Sequence, residues 1–213
     1  MKINIDLIIE RLSEEFKKNK VPIVDLIEAQ TKDPFRVLVA TILSARTRDE
    51  NTAKAVYKLF DRVDTYKDFY DLSIPEIEEL IYGVGFYHQK AKYLKKLPEV
   101  LDEKFNGEIP KTIDELITLP GVGRKTANLV LVIAFNIPAI CVDVHVNRIM
   151  NRIGYVTTKN PFETEMALRK KLPKKHWLVV NSIFVSFGQH LCFPRNPKCE
   201  ICPIADLCNK LIK

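Results

Sequence analysis

A chain of 213 residues, 46% hydrophobic and 28% charged, with seven glycines and no low-complexity tract, has enough apolar content for one large core or two modest ones. That composition excludes the disordered and fibrous classes. The formal charge of +6 and a pI near 9.0 suit a polyanionic partner without singling one out.

The N-terminal "MKINIDLIIERL" places Ile5, Ile8, Ile9, Leu12 and Phe16 at helical spacing and lacks the pattern of a signal peptide. The longest apolar run, "LVLVIAF", is too short to cross a bilayer. A soluble, cytoplasmic protein with no membrane partner is the expectation. Further along, Asp33 precedes Pro34 as a helix N-cap before "FRVLVATILSA". Capping boxes are expected for Ser73 with Glu76, Thr112 with Glu115 and Asn160 with Glu163. Gly154 and Gly188 stand where helix C-terminal caps belong. "ICVDVHV" alternates briefly, but no second alternating run exists to pair with it. The expected fold class is therefore all-α. "GVGFYHQKAKYL" from Gly83 and "GVGRKTANLVL" from Gly121 echo one another, each a Gly-x-Gly turn that opens a helix.

"TIDELITL-PGVG-RKTANLV" reads as helix, four-residue turn, helix. Gly121 and Gly123 permit positive φ and close backbone approach, so amides of the turn and of the second helix's start can converge on one anion, such as a DNA phosphate. An ordinary packed αα-hairpin has the same signature. Arg124 and Lys125 then fall in the first turn, where the helix dipole is already positive. A free lysine amine, with a pKa near 10.4, is not nucleophilic at neutral pH. A neighbouring cation, the dipole and partial burial all disfavour the ammonium and so prepare an amine for attack. The other readings of Lys125 are a phosphate contact and a solvated surface lysine.

Four of the five cysteines, Cys192, Cys199, Cys202 and Cys208, lie within 17 residues, spaced C-x6-C-x2-C-x5-C. Four thiolates so close can wrap one tetrahedral metal or a cubane cluster, and the spacing by itself leaves zinc and iron–sulfur both open. Cys141, in an apolar segment, reads as a small core residue.

The hairpin "LPGVGRKTA", then "VDVHVNRIMNRIG", then the cysteine run, in that order and separation, resemble the endonuclease III branch of the helix-hairpin-helix DNA glycosylase superfamily over nearly the whole chain. The resemblance implies a bifunctional DNA glycosylase and AP lyase of base excision repair, with oxidised pyrimidines such as thymine glycol as substrates. It makes Lys125 the nucleophile that attacks C1′ and Asp143 the carboxylate partner. The four cysteines become ligands of a [4Fe–4S] cluster. Arg46, Phe86, Gly121, Gly123, Arg124, Thr126 and His145 become DNA-binding residues. A lesion base flips from the stack, Lys125 displaces it and forms a Schiff base, and β-elimination cuts the strand. Asp143 also suits a helix N-cap, and one carboxylate can serve both ends. The implied architecture is a six-helix domain over 25–137 and a cluster domain of 1–24 plus 138–213, with DNA in the groove between them. The implied partner is double-stranded DNA carrying damaged bases or abasic sites, bound by a monomer.

Two positions depart from the family pattern. Arg46 stands where a glutamine usually fills the gap left by the flipped base, and Phe86 and Tyr87 occupy the second wedge, where an aliphatic residue is common, unless Phe86 is simply buried beneath its helix. Three other activities fit less well. A mismatch-specific thymine or uracil glycosylase normally lacks a lysine at position 125, and an adenine glycosylase carries an extra C-terminal domain. A non-catalytic iron–sulfur DNA-binding module needs neither Lys125 nor Asp143 at a helix start.

Overall fold

The computed structural model describes residues 3–16, 24, 27 and 31–212, and among them every regular element is helical, with no strand. The α-helices are α1 (Ile5–Phe16), α2 (Pro34–Ser44), α3 (Asp49–Phe60), α4 (Ile74–Leu80), α5 (Tyr87–Phe105), α6 (Ile113–Leu116), α7 (Arg124–Phe135), α8 (Val144–Arg152), α9 (Pro161–Lys171) and α10 (Val180–His190). Short 3-10 turns lie at Tyr66–Tyr70, Lys174–His176 and Cys199–Ile201. Among the described residues no helix is long and apolar enough to cross a membrane. The chain divides into two compact units, Met1–Lys20 with Pro138–Lys213, and Val21–Ile137. The junction expected between 24 and 25 falls at a position outside the described residues.

In the unit Val21–Ile137, α2 is the central helix: Phe35 and every residue from Val37 to Leu43 are buried, against α3 and α7. Burying Val37, Leu38, Ile42 and Leu43 stabilises the unit by roughly 1.5–3 kcal/mol apiece. The helix starts as the sequence predicts, with the Asp33 carboxylate accepting from the Phe35 N–H at 2.9 Å and Pro34 at its first position. Ser73 and Glu76 form the expected reciprocal box. Thr112 caps the Glu115 N–H, but its hydroxyl also donates to the Glu115 carboxylate at 2.6 Å, so the reciprocal backbone bond is replaced by a side-chain one. Asn160 likewise caps Glu163, whose carboxylate accepts from the Lys159 N–H and from the Asn160 amide instead of the Asn160 N–H. A further box, Thr65 with Asp68, opens the 3-10 turn at Tyr66.

In the discontinuous unit, Ile5, Ile8, Ile9 and Leu12 of α1 form one core with Val146, Ile149 and Met150 of α8 and Ile183, Phe184 and Phe187 of α10. Gly154, at φ 81°, follows the end of α8 as expected. Gly188 is not a cap. It lies inside α10, and a Cβ there would stand 2.4 Å from His145 Nδ1 and 2.8 Å from an Arg148 guanidinium nitrogen, so the glycine lets α8 and α10 cross closely. The alternating "ICVDVHV" forms no strand. The Asn181 amide donates to the Cys141 carbonyl at 3.2 Å, so a side chain takes the place of a neighbouring strand.

Candidate active site and cysteine-lined pocket

The predicted hairpin is present: α6, a turn through Gly121 and Gly123, then α7. Only Gly121 uses left-handed backbone, at φ 76°, and a Cβ on it would lie 2.6 Å from the Tyr93 ring. Gly123 is extended, at φ −92° and ψ 174°, with open space around its missing Cβ. It is the N-cap of α7 and contributes no capping side chain, so α7 begins without the side-chain acceptor that most helices carry. The buried Val122 anchors the turn between them. Arg124 and Thr126 are half-buried. Lys125 is exposed.

An open cleft of about 1060 Å³, including its mouth, brings Arg46, Phe86, Gly121, Gly123 and Thr126 together with Gln89, Lys90 and Tyr93. The last three were not singled out from sequence. Arg46 and Phe86 both sit in left-handed backbone, at φ 55° and 59°. For non-glycine residues this costs of the order of 1–3 kcal/mol each and persists only where the surroundings enforce it. Phe86 is 64% exposed, which excludes burial beneath its helix. The Arg46 guanidinium lies 5.5 Å from the Phe86 ring centroid, so the two side chains form a cation–π pair at the cleft.

In the discontinuous unit, Asp143 is the N-cap of α8, and its Oδ1 accepts from the His145 and Val146 N–H groups, each at 2.9 Å. His145 packs its ring against Gly188 and pairs Nδ1 with Arg148 at 3.0 Å.

All four clustered cysteines line one pocket of about 440 Å³, with Ile153, Phe187, Leu191 and Ile204 among its apolar walls. Burial pushes the thiols of Cys202 and Cys208 up, and the neighbouring cysteine sulfurs push the same way against a backbone N–H donated to each. Such thiols do not ionise together unless a cation shares their charge. Arg152 lies at the rim, donating to the Phe193 and Pro194 carbonyls at 2.6 Å each, with one nitrogen 3.5 Å from the Cys192 sulfur. Arg148 donates to the Cys192 carbonyl at 2.8 Å, and the Lys210 N–H to the Cys208 sulfur at 3.3 Å. Among the described residues no three His, Cys, Asp or Glu side chains stand in the geometry of a single-ion site. The fit therefore rests on chemistry: four soft donors in an apolar pocket, beside guanidinium and amide groups that offset the negative charge of a thiolate-bound cluster.

Comparison with known proteins agrees with this arrangement. Residues 39–174 match the HhH-GPD superfamily base excision DNA repair proteins, and residues 192–208 match the iron-sulfur binding domain of endonuclease III. The endonuclease III of Thermotoga maritima is 48% identical over 83% of this chain and 83% of its own length. A non-covalent endonuclease III–DNA complex superimposes with a TM-score of 0.85 at 35% identity, covering 97% of this chain and 94% of that one. A trapped endonuclease III–DNA covalent intermediate does so with a TM-score of 0.80 at 36% identity, covering 96% and 95%. With a family match across most of its length and a second across its cysteines, the chain belongs to the endonuclease III family of helix-hairpin-helix base excision DNA repair proteins.

Proposed function

We infer that this DNA glycosylase and AP lyase removes oxidised pyrimidines such as thymine glycol from double-stranded DNA, and also cuts the abasic sites that result. The observation that carries the reading is the cleft of the unit Val21–Ile137, where an exposed Arg46–Phe86 pair lies with the glycines of the hairpin whose second helix carries Lys125 in its first turn. The hairpin amides hold a phosphate, with Arg124 and Thr126 beside it, and His145 of α8 is a further DNA contact. Arg46 and Phe86 fill the gap in the stack when the lesion flips out.

Lys125, as the free amine, attacks C1′ and displaces the base. The sugar ring opens, and the new nitrogen–carbon bond becomes a protonated imine. That imine acidifies the C2′ hydrogen; its loss expels the 3′ phosphate by breaking the C3′–O bond, and hydrolysis returns the lysine. Asp143, its Oδ1 fixed by two backbone N–H groups, is the carboxylate partner that supports the attack or the developing positive charge on the sugar. Cys192, Cys199, Cys202 and Cys208 would hold the [4Fe–4S] cluster. The protein acts as a monomer inside the cell, on the chromosome.

The reading is tested by borohydride reduction during reaction with thymine-glycol duplex, which traps a covalent complex if the imine forms. Wild-type protein is expected to be trapped and Lys125→Gln not. DNA binding without trapping on any glycosylase substrate would leave only a binding module.

A further inference from the structure

Lys90 is a buried cation that this mechanism does not use. It sits in the first turn of α5, 5% exposed, and its amine donates to three acceptors: the Leu43 carbonyl at 2.8 Å, the Ala45 carbonyl at 2.6 Å and the Thr47 hydroxyl at 3.2 Å. Three N–H groups thus meet three acceptors, so Lys90 has no donor left over for a DNA phosphate. All three acceptors lie at the end of α2 or in the loop after it, which carries Arg46.

The same loop is tied to the one carrying Phe86. The Gly85 N–H donates to the Thr47 hydroxyl at 3.1 Å, and the Asn51 amide donates to the Gly83 carbonyl at 3.3 Å. The two backbones touch so closely that a Cβ on Gly85 would lie 2.4 Å from the Arg46 carbonyl oxygen. Arg46 and Phe86, one in each loop, both hold left-handed backbone that needs outside enforcement.

We propose that Lys90, acting through Thr47, is a positioning residue that locks the loops of Arg46 and Phe86 into one preformed wedge before DNA is engaged. The proposal rests on the reading of those two side chains as the gap-filling pair. Burial pushes the Lys90 amine down to about 8, a penalty that a methionine of similar length filling the same space would not incur. The retained charge fits a fastener for carbonyls rather than a filler.

The test uses the full-length, iron-loaded protein and four variants: Lys90→Met and Thr47→Val, which remove the donor and the hydroxyl, and Lys90→Arg and Thr47→Ser, which keep them. One readout needs no chemistry. A duplex carries a tetrahydrofuran abasic analogue opposite 2-aminopurine, whose fluorescence rises when a wedge unstacks it. Lys90→Met and Thr47→Val are expected to lose most of the rise while Kd changes less than threefold, and Thr47→Ser and Lys90→Arg to recover it. The second readout compares single-turnover excision from a thymine-glycol duplex with strand cleavage at an abasic site in single-stranded DNA, where no duplex needs to be wedged open. A tenfold or larger loss confined to the duplex supports the brace. An unchanged fluorescence rise, or equal losses on both substrates, overturns it. A wild-type protein that gives the rise yet cleaves neither substrate would instead overturn the functional reading alone.

Discussion

The two glycines of the hairpin should separate fold from function. Alanine at 121 must adopt φ 76° and place its Cβ 2.6 Å from Tyr93 Cδ2, 3.1 Å from Cγ and 3.3 Å from the Tyr93 Cβ. Because the base of the tyrosine side chain is among those neighbours, rotating the ring does not relieve the contact. Left-handed strain of about 1–2 kcal/mol adds to overpacking of about 1–3 kcal/mol, offset in part by the lower entropy of an unfolded alanine. Gly121→Ala should therefore destabilise by about 2–4 kcal/mol, a fall in Tm of about 5–15 °C for a chain of this size. Alanine at 123 meets no atom within 4 Å and keeps an ordinary extended backbone. Its stability should stay within about 1 kcal/mol of wild type. Its methyl group, however, stands where a phosphate would approach the start of α7, so the Kd for an abasic duplex should rise at least tenfold, or about 1.4 kcal/mol. Far-UV circular dichroism melts and fluorescence anisotropy at one fixed salt concentration measure the two quantities. Equal destabilisation by both alanines would refute the packing argument, and unchanged affinity in Gly123→Ala would refute the phosphate role of the turn.

Asp143→Asn keeps an oxygen to cap the His145 and Val146 N–H groups, so its Tm and DNA affinity should stay near wild type while base excision is lost; a parallel loss of affinity would leave Asp143 only a cap. Arg46→Gln replaces a donor-only side chain with one that also accepts, and should lower excision opposite guanine relative to adenine by roughly fivefold, read from single-turnover rates on matched duplexes. Purified protein should be yellow-brown and contain iron and acid-labile sulfide, and Cys202→Ser should lose both; colourless protein carrying one zinc would sink the cluster assignment. Asp68 is held below the usual carboxylate range, first by the Thr65 N–H and then by that of Asp64. A depressed carboxylate stabilises above its unfolded pKa and loses that contribution as pH falls through the folded one, so the Tm deficit of Asp68→Ala should be full at pH 7 and close below about pH 4. A gap that does not change with pH would refute this.

Features whose cause lies within a few residues were legible before any coordinates. The Asp33 cap, the Ser73–Glu76 box, the hairpin and the cysteine spacing are all local, and each is found where the sequence places it. What escaped depends on groups distant in sequence. Nothing near Lys90 tells that Leu43, Ala45 and Thr47 will turn three oxygens toward it. Gly188 reads as a helix end until the His145 and Arg148 side chains from α8 occupy the space a Cβ would need. The capping residues Thr112 and Asn160 were legible, but the second half of each box depended on which acceptor a flexible glutamate reached first. Arg46 was marked by position and Phe86 by type; their stacking on one another was not, because it follows from two loops being fastened together.

The discontinuity of one unit also bears on how the protein is made. Its core needs Ile5, Ile8, Ile9 and Leu12 from the start of the chain and Ile183, Phe184 and Phe187 from near the end, with all of Val21–Ile137 intervening. On the ribosome the intervening unit is complete and free to fold first, while the apolar face of α1 stays exposed until α10 emerges. The four cysteines emerge after α10, when the hairpin of the intervening unit is already free to form. Long sequence separation makes that closing step slow, and a nascent chain stalled before Cys192 would carry the hairpin without the means to finish its other half.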